Sequence, residues 1–264
     1  SRSNTAATTA ADLPDSYVRC GGDNYRPVPV FTLHVMDAEG KGLRPISAFE
    51  NFEWTPSVAN DGRILYCRWD YIDRFNGHFF SLWSTNPDGT NPQLVYKNYT
   101  IRPQVASEAV AIPNSYKLVF TASAHHSILG GSLVLFDRRR GTEEAAPIVR
   151  LTPEVPFPET EAWADHYYAN PWPLSEEYYL VGWADHRLPP HTRIETQEAN
   201  PVNAMGLYLL DAFGNQELLY RDQAISSGNP IPLRPRPKPP VYAHQASDAA
   251  QEGRFFLQDV YQGL

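Results

Sequence analysis

The feature that most constrains this chain is the pattern of strands and turns in residues 52–89. Side chains alternate between two faces along residues 64–69, and a second aromatic segment occupies residues 79–84. The sequences Asp61-Gly62 and Pro87-Asp88-Gly89 flank these segments, and such sequences favour tight turns between antiparallel strands. The stretch therefore predicts consecutive antiparallel hairpins.

The pattern recurs along the chain. Its equivalent turn positions are Asp37, Asn86, Asp137, Asp211 and Asp259, which are 49, 51, 74 and 48 residues apart. Four-stranded units recur at such a spacing in β-propellers. The long interval contains a polar insertion, residues 185–204, which we expect between the second and third strands of its unit. The fold class predicted is all-β, a β-propeller of four-stranded antiparallel blades. A β-sandwich fits less well, because it lacks a repeat of about 50 residues.

The repeat also predicts the domain organisation. Residues 1–14 form a flexible lead-in and residues 15–264 the propeller domain, with blades at about 51–100, 101–152 and 153–220 and blade fragments at about 15–50 and 221–264. Since propellers close with about four to eight blades, we expect this propeller to be incomplete or part of a longer chain. The proline-rich residues 229–241 predict an extended strap between blades, with a PxxP peptide ligand as the alternative.

Composition excludes several classes of function. With 22 Lys and Arg against 30 Asp and Glu, the net charge is −8, and the basic block Arg138–Arg140 is too small to predict nucleic-acid binding. No apolar run approaches the roughly 18 residues of a membrane span, and the first residues lack a signal-peptide pattern. Cys20 and Cys67 form neither a CxxC nor a CxxCH haem-attachment motif.

Several segments resemble one known family. They are CGGDNYRPVPVFTLHVMDAEG, FEWTPSVANDGRILYCRWDYIDR, SLWSTNPDGT, PLSEEYYLVGW, GLYLLDAFGN and PIPLRPRPKPP. Together they resemble the middle domain of the hydrazine synthase alpha subunit, a WD40-like or TolB-like propeller that also occurs in exported planctomycete proteins. The resemblance implies a periplasmic or otherwise extracytoplasmic location and neighbouring domains or subunits as partners. It also implies c-type haem on flanking regions, because this sequence contains no CxxCH.

The two cysteines occupy nearly equivalent positions in neighbouring repeats, too far apart for a disulfide. We therefore predict two free thiols, with Cys67 a small buried residue. Cys20 lies in a glycine-rich loop. The family resemblance implies zinc as a possible cofactor there, because a cysteine of the alpha-subunit middle domain takes part in a zinc site beside a haem. No other cofactor is expected within this chain.

The histidines offer further candidate ligands. His125 and His126 follow an apolar strand, and adjacent side chains on a strand point to opposite faces, so only a loop would let both bind one metal. Asp165-His166 and Asp185-His186 end two copies of the tetrapeptide Trp-Ala-Asp-His. Each resembles a carboxylate-oriented imidazole, but polar loop residues near the mouth of the propeller are the simpler interpretation.

Asp70, Asp73 and Arg74 end the second strand of the best-preserved unit. Pairing of Arg68 or Arg74 with either aspartate would hold the following loop. Alternatively, the three residues contact a ligand or partner, since loops at this end ring the central channel of a propeller.

The family resemblance implies three alternative functions. The first is a non-catalytic scaffold or interaction domain of a hydrazine synthase alpha-like, haem-containing exported protein. The second is part of a hydrazine synthase, an oxidoreductase that joins nitric oxide and ammonium, with this chain contributing residues to a haem and zinc site. The third is a TolB-like protein-binding module. By itself the chain is not expected to be catalytic.

Overall fold

The computed structural model describes residues 2–3, 31–47, 49, 52–70, 79–189 and 199–243. The strands, in chain order, are β1 Arg2–Ser3, β2 Phe31–Thr32, β3 His34–Val35, β4 Arg44–Pro45, β5 Glu53–Val58, β6 Ile64–Trp69, β7 Phe80–Thr85, β8 Gln93–Tyr96, β9 Val105–Ala111, β10 Lys117–Ser123, β11 Gly131–Asp137, β12 Ile148–Arg150, β13 Tyr167–Pro173, β14 Tyr178–Ala184, β15 Met205–Asp211 and β16 Gln216–Tyr220. The 3₁₀ turn Arg138–Arg140 is the one helical element of these residues. The prediction of an all-β fold is confirmed.

Strands β5 to β16 form one large mixed sheet that consists of three consecutive meanders, β5–β8, β9–β12 and β13–β16. Within each meander, every strand pairs antiparallel with the next strand along the chain. Single residue pairs join the meanders, Phe80 with Val105 and Gly131 with Tyr168. The predicted insertion lies where expected, between the end of β14 and the start of β15.

The core lies between the meanders, and the middle meander is buried on both faces. Val119 and Leu133 pack toward the third meander, whereas Phe120 and Val134, their neighbours in sequence, pack toward the first. This arrangement explains why β10 and β11 have nearly continuous apolar runs instead of the alternation of a one-sided strand. Burial of both faces makes the meanders one packed body.

The hairpin formed by β3 and β4 packs on the first meander. Leu33 and Ile46 share a small core cluster with Tyr66. The buried carboxylate of Glu53 accepts hydrogen bonds from the Leu33 N–H and the Ser47 hydroxyl. A Cβ atom at Gly89 would lie 1.8 Å from the Ile46 carbonyl oxygen, so the hairpin requires glycine there.

The first strand of each meander contains a β-bulge at an equivalent place. The registers of β5, β9 and β13 shift by one residue against β6, β10 and β14. The bulges contain Thr55, Glu108 and Asn170, which have left-handed φ angles of 50°, 55° and 52°. Left-handed conformations are uncommon for residues other than glycine, so their recurrence marks a feature of the repeat.

Hydrogen bonds join these bulges from one meander to the next. The Glu108 N–H donates to Thr55 Oγ1 at 3.0 Å, and the Asn170 N–H donates to Glu108 Oε2 at 2.7 Å. The series continues into the proline-rich segment, where the N–H of Asn229, with a φ of 53°, donates to Asn170 Oδ1 at 3.1 Å. We call this series of bonds the bulge ladder.

The proline-rich segment spans from the third meander to the first. Its beginning joins the bulge ladder through Asn229, and the Arg236 guanidinium lies 4.8 Å from the centre of the Trp172 ring. At its other end, the Pro240 carbonyl oxygen would lie 2.3 Å from a Cβ atom at Gly62, in the turn between β5 and β6. The segment thus has the course expected of a strap. In the described residues, no helix has the length and apolar character needed to cross a membrane.

Replacement of Glu108 by alanine should destabilise the fold by at least about 3 kcal/mol, because buried donors would lose their acceptor. The carboxylate accepts hydrogen bonds from the Thr121 hydroxyl and from both the backbone and the amide of Asn170. Glu108→Gln keeps one acceptor oxygen and should reduce the free energy of unfolding by less. Urea denaturation measures the free energy of unfolding of both variants. Glu217→Ala, at an exposed position of β16, is the control, and equal losses in Glu108→Ala and the control would contradict the role of the ladder.

Candidate functional site

In each meander, the first strand begins at the same edge of the sheet at which the second strand connects to the third. This follows because neighbouring strands in a meander are antiparallel. We call this edge the loop end. The predicted site residues that lie there are Asp70, His125, His126, Asp165, His166, Asp185 and His186. Cys20, Asp73 and Arg74 fall outside the described residues, so their predicted roles stay predictions.

One of the alternative predicted pairings, Arg68 with Asp70, is present, with Arg68 Nη2 2.8 Å from Asp70 Oδ1. The same guanidinium lies over two aromatic rings, 3.7 Å from the centre of Phe49 and 4.0 Å from that of Trp83. Cation–π contacts and an ion pair together hold the end of β6 against its neighbours. This geometry agrees with the structural interpretation of the two residues.

His125 and His126 both lie in a turn after β10, not on the strand itself. Their ring centres are 4.1 Å apart, so the two imidazoles lie side by side. The Glu159 carboxylate, from the connection between β12 and β13, reaches both the backbone N–H of His126 at 2.9 Å and its Nδ1 at 2.5 Å. One potential ligand atom from each of the three residues lies within 4.8 Å of the others.

Neighbouring side chains hold this cluster in place. Gln104, at the start of β9, accepts a hydrogen bond from the His125 N–H at 2.8 Å. The His125 ring packs against Trp69 and Phe80, with centre-to-centre distances of 5.5 and 5.2 Å. Burial tends to raise the pKa of Glu159, but the hydrogen bonds from His126 outweigh it and hold that pKa below its usual range. A carboxylate anion therefore stands beside two imidazoles.

The Trp-Ala-Asp-His tetrapeptides do not form the carboxylate–imidazole pairs that their sequence resembles. Asp165 and Asp185 are exposed. The carboxylate near His166 is Glu154, whose Oε1 is 3.9 Å from the ring Nε2. Within the part of the chain that the structure describes, the buried Nδ1 of His186 has no hydrogen-bond partner. The simpler interpretation, polar residues of the loop end, fits both tetrapeptides.

Sequence reasoning missed Glu159, Gln104 and Lys97. The first two come from connections that have no motif, and only the fold brings them to the histidines. Lys97 follows the apolar end of β8 and is fully buried. Burial lowers the pKa of Lys97 to about 7 and raises that of nearby Cys67 to about 12. Cys67 is a free, buried thiol, as predicted.

Comparison with known proteins gives a similarity of fold to a solved structure. No family model matches the chain, and no curated protein matches it. Among solved structures, the chain is similar to the hydrazine synthase of Kuenenia stuttgartiensis, with a TM-score of 0.56 and 18% sequence identity. The similarity covers 76% of this chain but 23% of that chain. It supports a related fold, and this chain corresponds to less than a quarter of the neighbour.

The stability of the native protein relative to Lys97→Met should rise as the pH increases from about 7 toward about 10. The lysine pKa falls from 10.5 to about 7 on folding. Between these values the unfolded chain binds more protons than the folded chain, so the stability of the native protein rises with pH. Methionine removes the titrating group at a similar volume.

Urea denaturation at several pH values measures this difference. Lys41→Met, at an exposed position, should give a difference that does not change with pH. A stability gap between Lys97→Met and the native protein that stays constant from pH 7 to about 10 would show that Lys97 remains protonated in the fold.

Proposed function

We propose that this chain is a β-propeller module that acts as a non-catalytic scaffold in a longer, exported, hydrazine synthase alpha-like protein. In this proposal each meander is one blade, and the loop end contacts neighbouring domains or subunits. The bulge ladder is the observation that carries the proposal. It links the first strands of successive meanders in sequence, as expected for inner strands arranged around a common axis.

The proline-rich segment supports the same arrangement. Asn229-Pro230 repeats the sequence Asn170-Pro171 of β13, the first strand of the third meander. Asn229 and Asn170 also share a left-handed φ angle. We therefore interpret the beginning of the strap as the inner strand of a fourth blade. Its contacts with the third meander and with the turn at Gly62 of the first fit a ring of blades. The structural similarity to hydrazine synthase, a longer chain, fits a module within a larger protein.

A scaffold needs loops that keep one shape, and several described residues of the loop end are held by specific contacts. Arg68 is held by Asp70 and two rings, and the loop after β10 is held by Gln104 and Glu159. The Ser127 hydroxyl also donates to the Pro189 carbonyl oxygen at 2.6 Å, which joins the loops of the second and third meanders. Preorganised loops lower the entropy cost of binding a partner.

Hydrogen exchange in the complete protein tests the proposal. If a neighbouring domain covers the loop end, residues 124–130 and 151–166 should exchange slowly there. Asp165→Lys combined with Asp185→Lys should speed this exchange about tenfold, a loss of about 1.4 kcal/mol of protection. Glu177→Lys with Glu217→Lys changes the charge equally on exposed residues of the opposite end and should have no such effect.

The proposal fails if the loop end of the complete protein exchanges as fast as the exposed turn at residues 113–116. It also fails if an electron-microscopy map of the complete protein shows the meanders stacked in a line and not around an axis.

A further inference from the structure

We propose that His125, His126 and Glu159 form a binding site for a divalent transition-metal ion such as Zn²⁺. The site goes beyond the scaffold role and does not depend on it. It consists of two imidazoles from the turn after β10 and one carboxylate from the connection between β12 and β13, with a potential ligand atom of each within 4.8 Å of the others.

The type of donor defines the class of metal. Imidazole nitrogens and one carboxylate suit zinc, copper, nickel or iron(II), whereas calcium and magnesium prefer oxygen ligands. Donor atoms on one tetrahedral zinc lie about 3.3 Å apart. Donor atoms as much as 4.8 Å apart must therefore approach by up to about 1.5 Å, whereas His126 Nδ1 and Glu159 Oε1, now 2.5 Å apart, must separate by about 0.8 Å. The His126 side chain is 56% exposed and can rotate to do so. The metal would take the place of the hydrogen bond that now joins His126 Nδ1 to Glu159 Oε1.

The surroundings of the ligands resemble the support of a metal site. Ligands need partners that fix their orientation. Gln104 holds the backbone of His125, and Trp69 and Phe80 pack against its ring, so this half-buried imidazole has a fixed position. On the other side, Glu159 binds the backbone N–H of His126 as well as its ring. The His125 ring and the Glu159 carboxylate are therefore held in place before any metal binds, and the exposed His126 ring is the ligand that moves.

The backbone at Glu159 gives an independent observation. Its φ angle is 65°, a left-handed conformation that costs free energy for a residue with a Cβ atom. Hydrogen bonds around it maintain this turn: Glu161 N–H to the Phe157 carbonyl at 3.0 Å, and Phe157 N–H to Glu161 Oε2 at 2.8 Å. Such strained residues cluster at functional sites. This turn places the Glu159 carboxylate beside the histidine pair.

Two glycines allow the loop to lie where it does. A Cβ atom at Gly130 would lie 2.8 Å from the Tyr167 ring, and one at Gly131 would lie 2.0 Å from the Ala122 carbonyl oxygen. The loop is thus pressed against the third meander, whose preceding connection carries Glu159. Three protein ligands and an exposed side leave a coordination position for water or a small anion, as in zinc sites that bind substrates.

Isothermal titration of the tag-free chain with ZnCl₂, and the visible absorption of its Co²⁺ complex, test the site. The native chain should bind one ion through these residues. His126→Ala and Glu159→Gln should each weaken binding by about 100-fold or more, since even residues that only orient a ligand contribute 10- to 100-fold. Thermal unfolding without metal shows whether each variant is folded, and zinc should raise the melting temperature of the native chain but not those of His126→Ala and Glu159→Gln.

Two matched variants separate this site from other candidates. His166→Ala removes a histidine of the same loop end, and Cys20→Ser removes the other candidate ligand. Both should bind zinc as the native chain does. The proposal is overturned if the folded His126→Ala variant binds zinc with native affinity, or if Cys20→Ser alone abolishes binding. The hydrogen-exchange test is independent, because coverage of the loop end requires no metal.

Discussion

The structure depends on the hydrogen bonds between the bulges of successive first strands. A bulge leaves a backbone N–H without a partner in its own ladder, and a buried unpaired N–H costs free energy. In this fold a side chain of the preceding meander accepts that hydrogen bond. Thr55 does so for Glu108, and Glu108 does so for Asn170. The feature that interrupts each strand is therefore also the feature that joins it to the next meander.

Glu108 is the central member of this series, because its carboxylate binds two strands at once. Burial raises its pKa, and hydrogen bonds from Asn170 and Thr121 act in the opposite direction. A buried carboxylate is tolerated only where such donors compensate for lost solvation. The middle meander also packs on both faces, because its side chains fill the space toward the first meander on one side and toward the third on the other. Together these interactions fix the relative positions of the loops.

The grouping of two histidines and a glutamate at the loop end depends on these fixed positions. Adjacent histidines on a strand would point apart, yet His125 and His126 lie side by side because β10 ends at Ser123 and a turn follows. Glu159 reaches them from a connection 33 residues further along the chain. The scaffold role and the metal site are compatible, since both require loops held in one conformation by residues from neighbouring meanders. Whether a partner or an ion occupies this end is decided by separate measurements.

The sequence by itself determined the all-β class, the position of the insertion before β15 and the burial of Cys67, and it gave Arg68–Asp70 as one of several possible ion pairs. These features depend on local alternation, turn residues and neighbours in sequence, which the chain shows directly. Only the tertiary structure decided the bulge ladder, the cluster of Glu159 with the histidines and the burial of Lys97. Each depends on side chains from different meanders, which come together through packing and not through spacing. The hairpin sequence of residues 52–89 thus specifies one unit well, whereas its connection to the next unit resides in single residues such as Thr55, which no local pattern distinguishes.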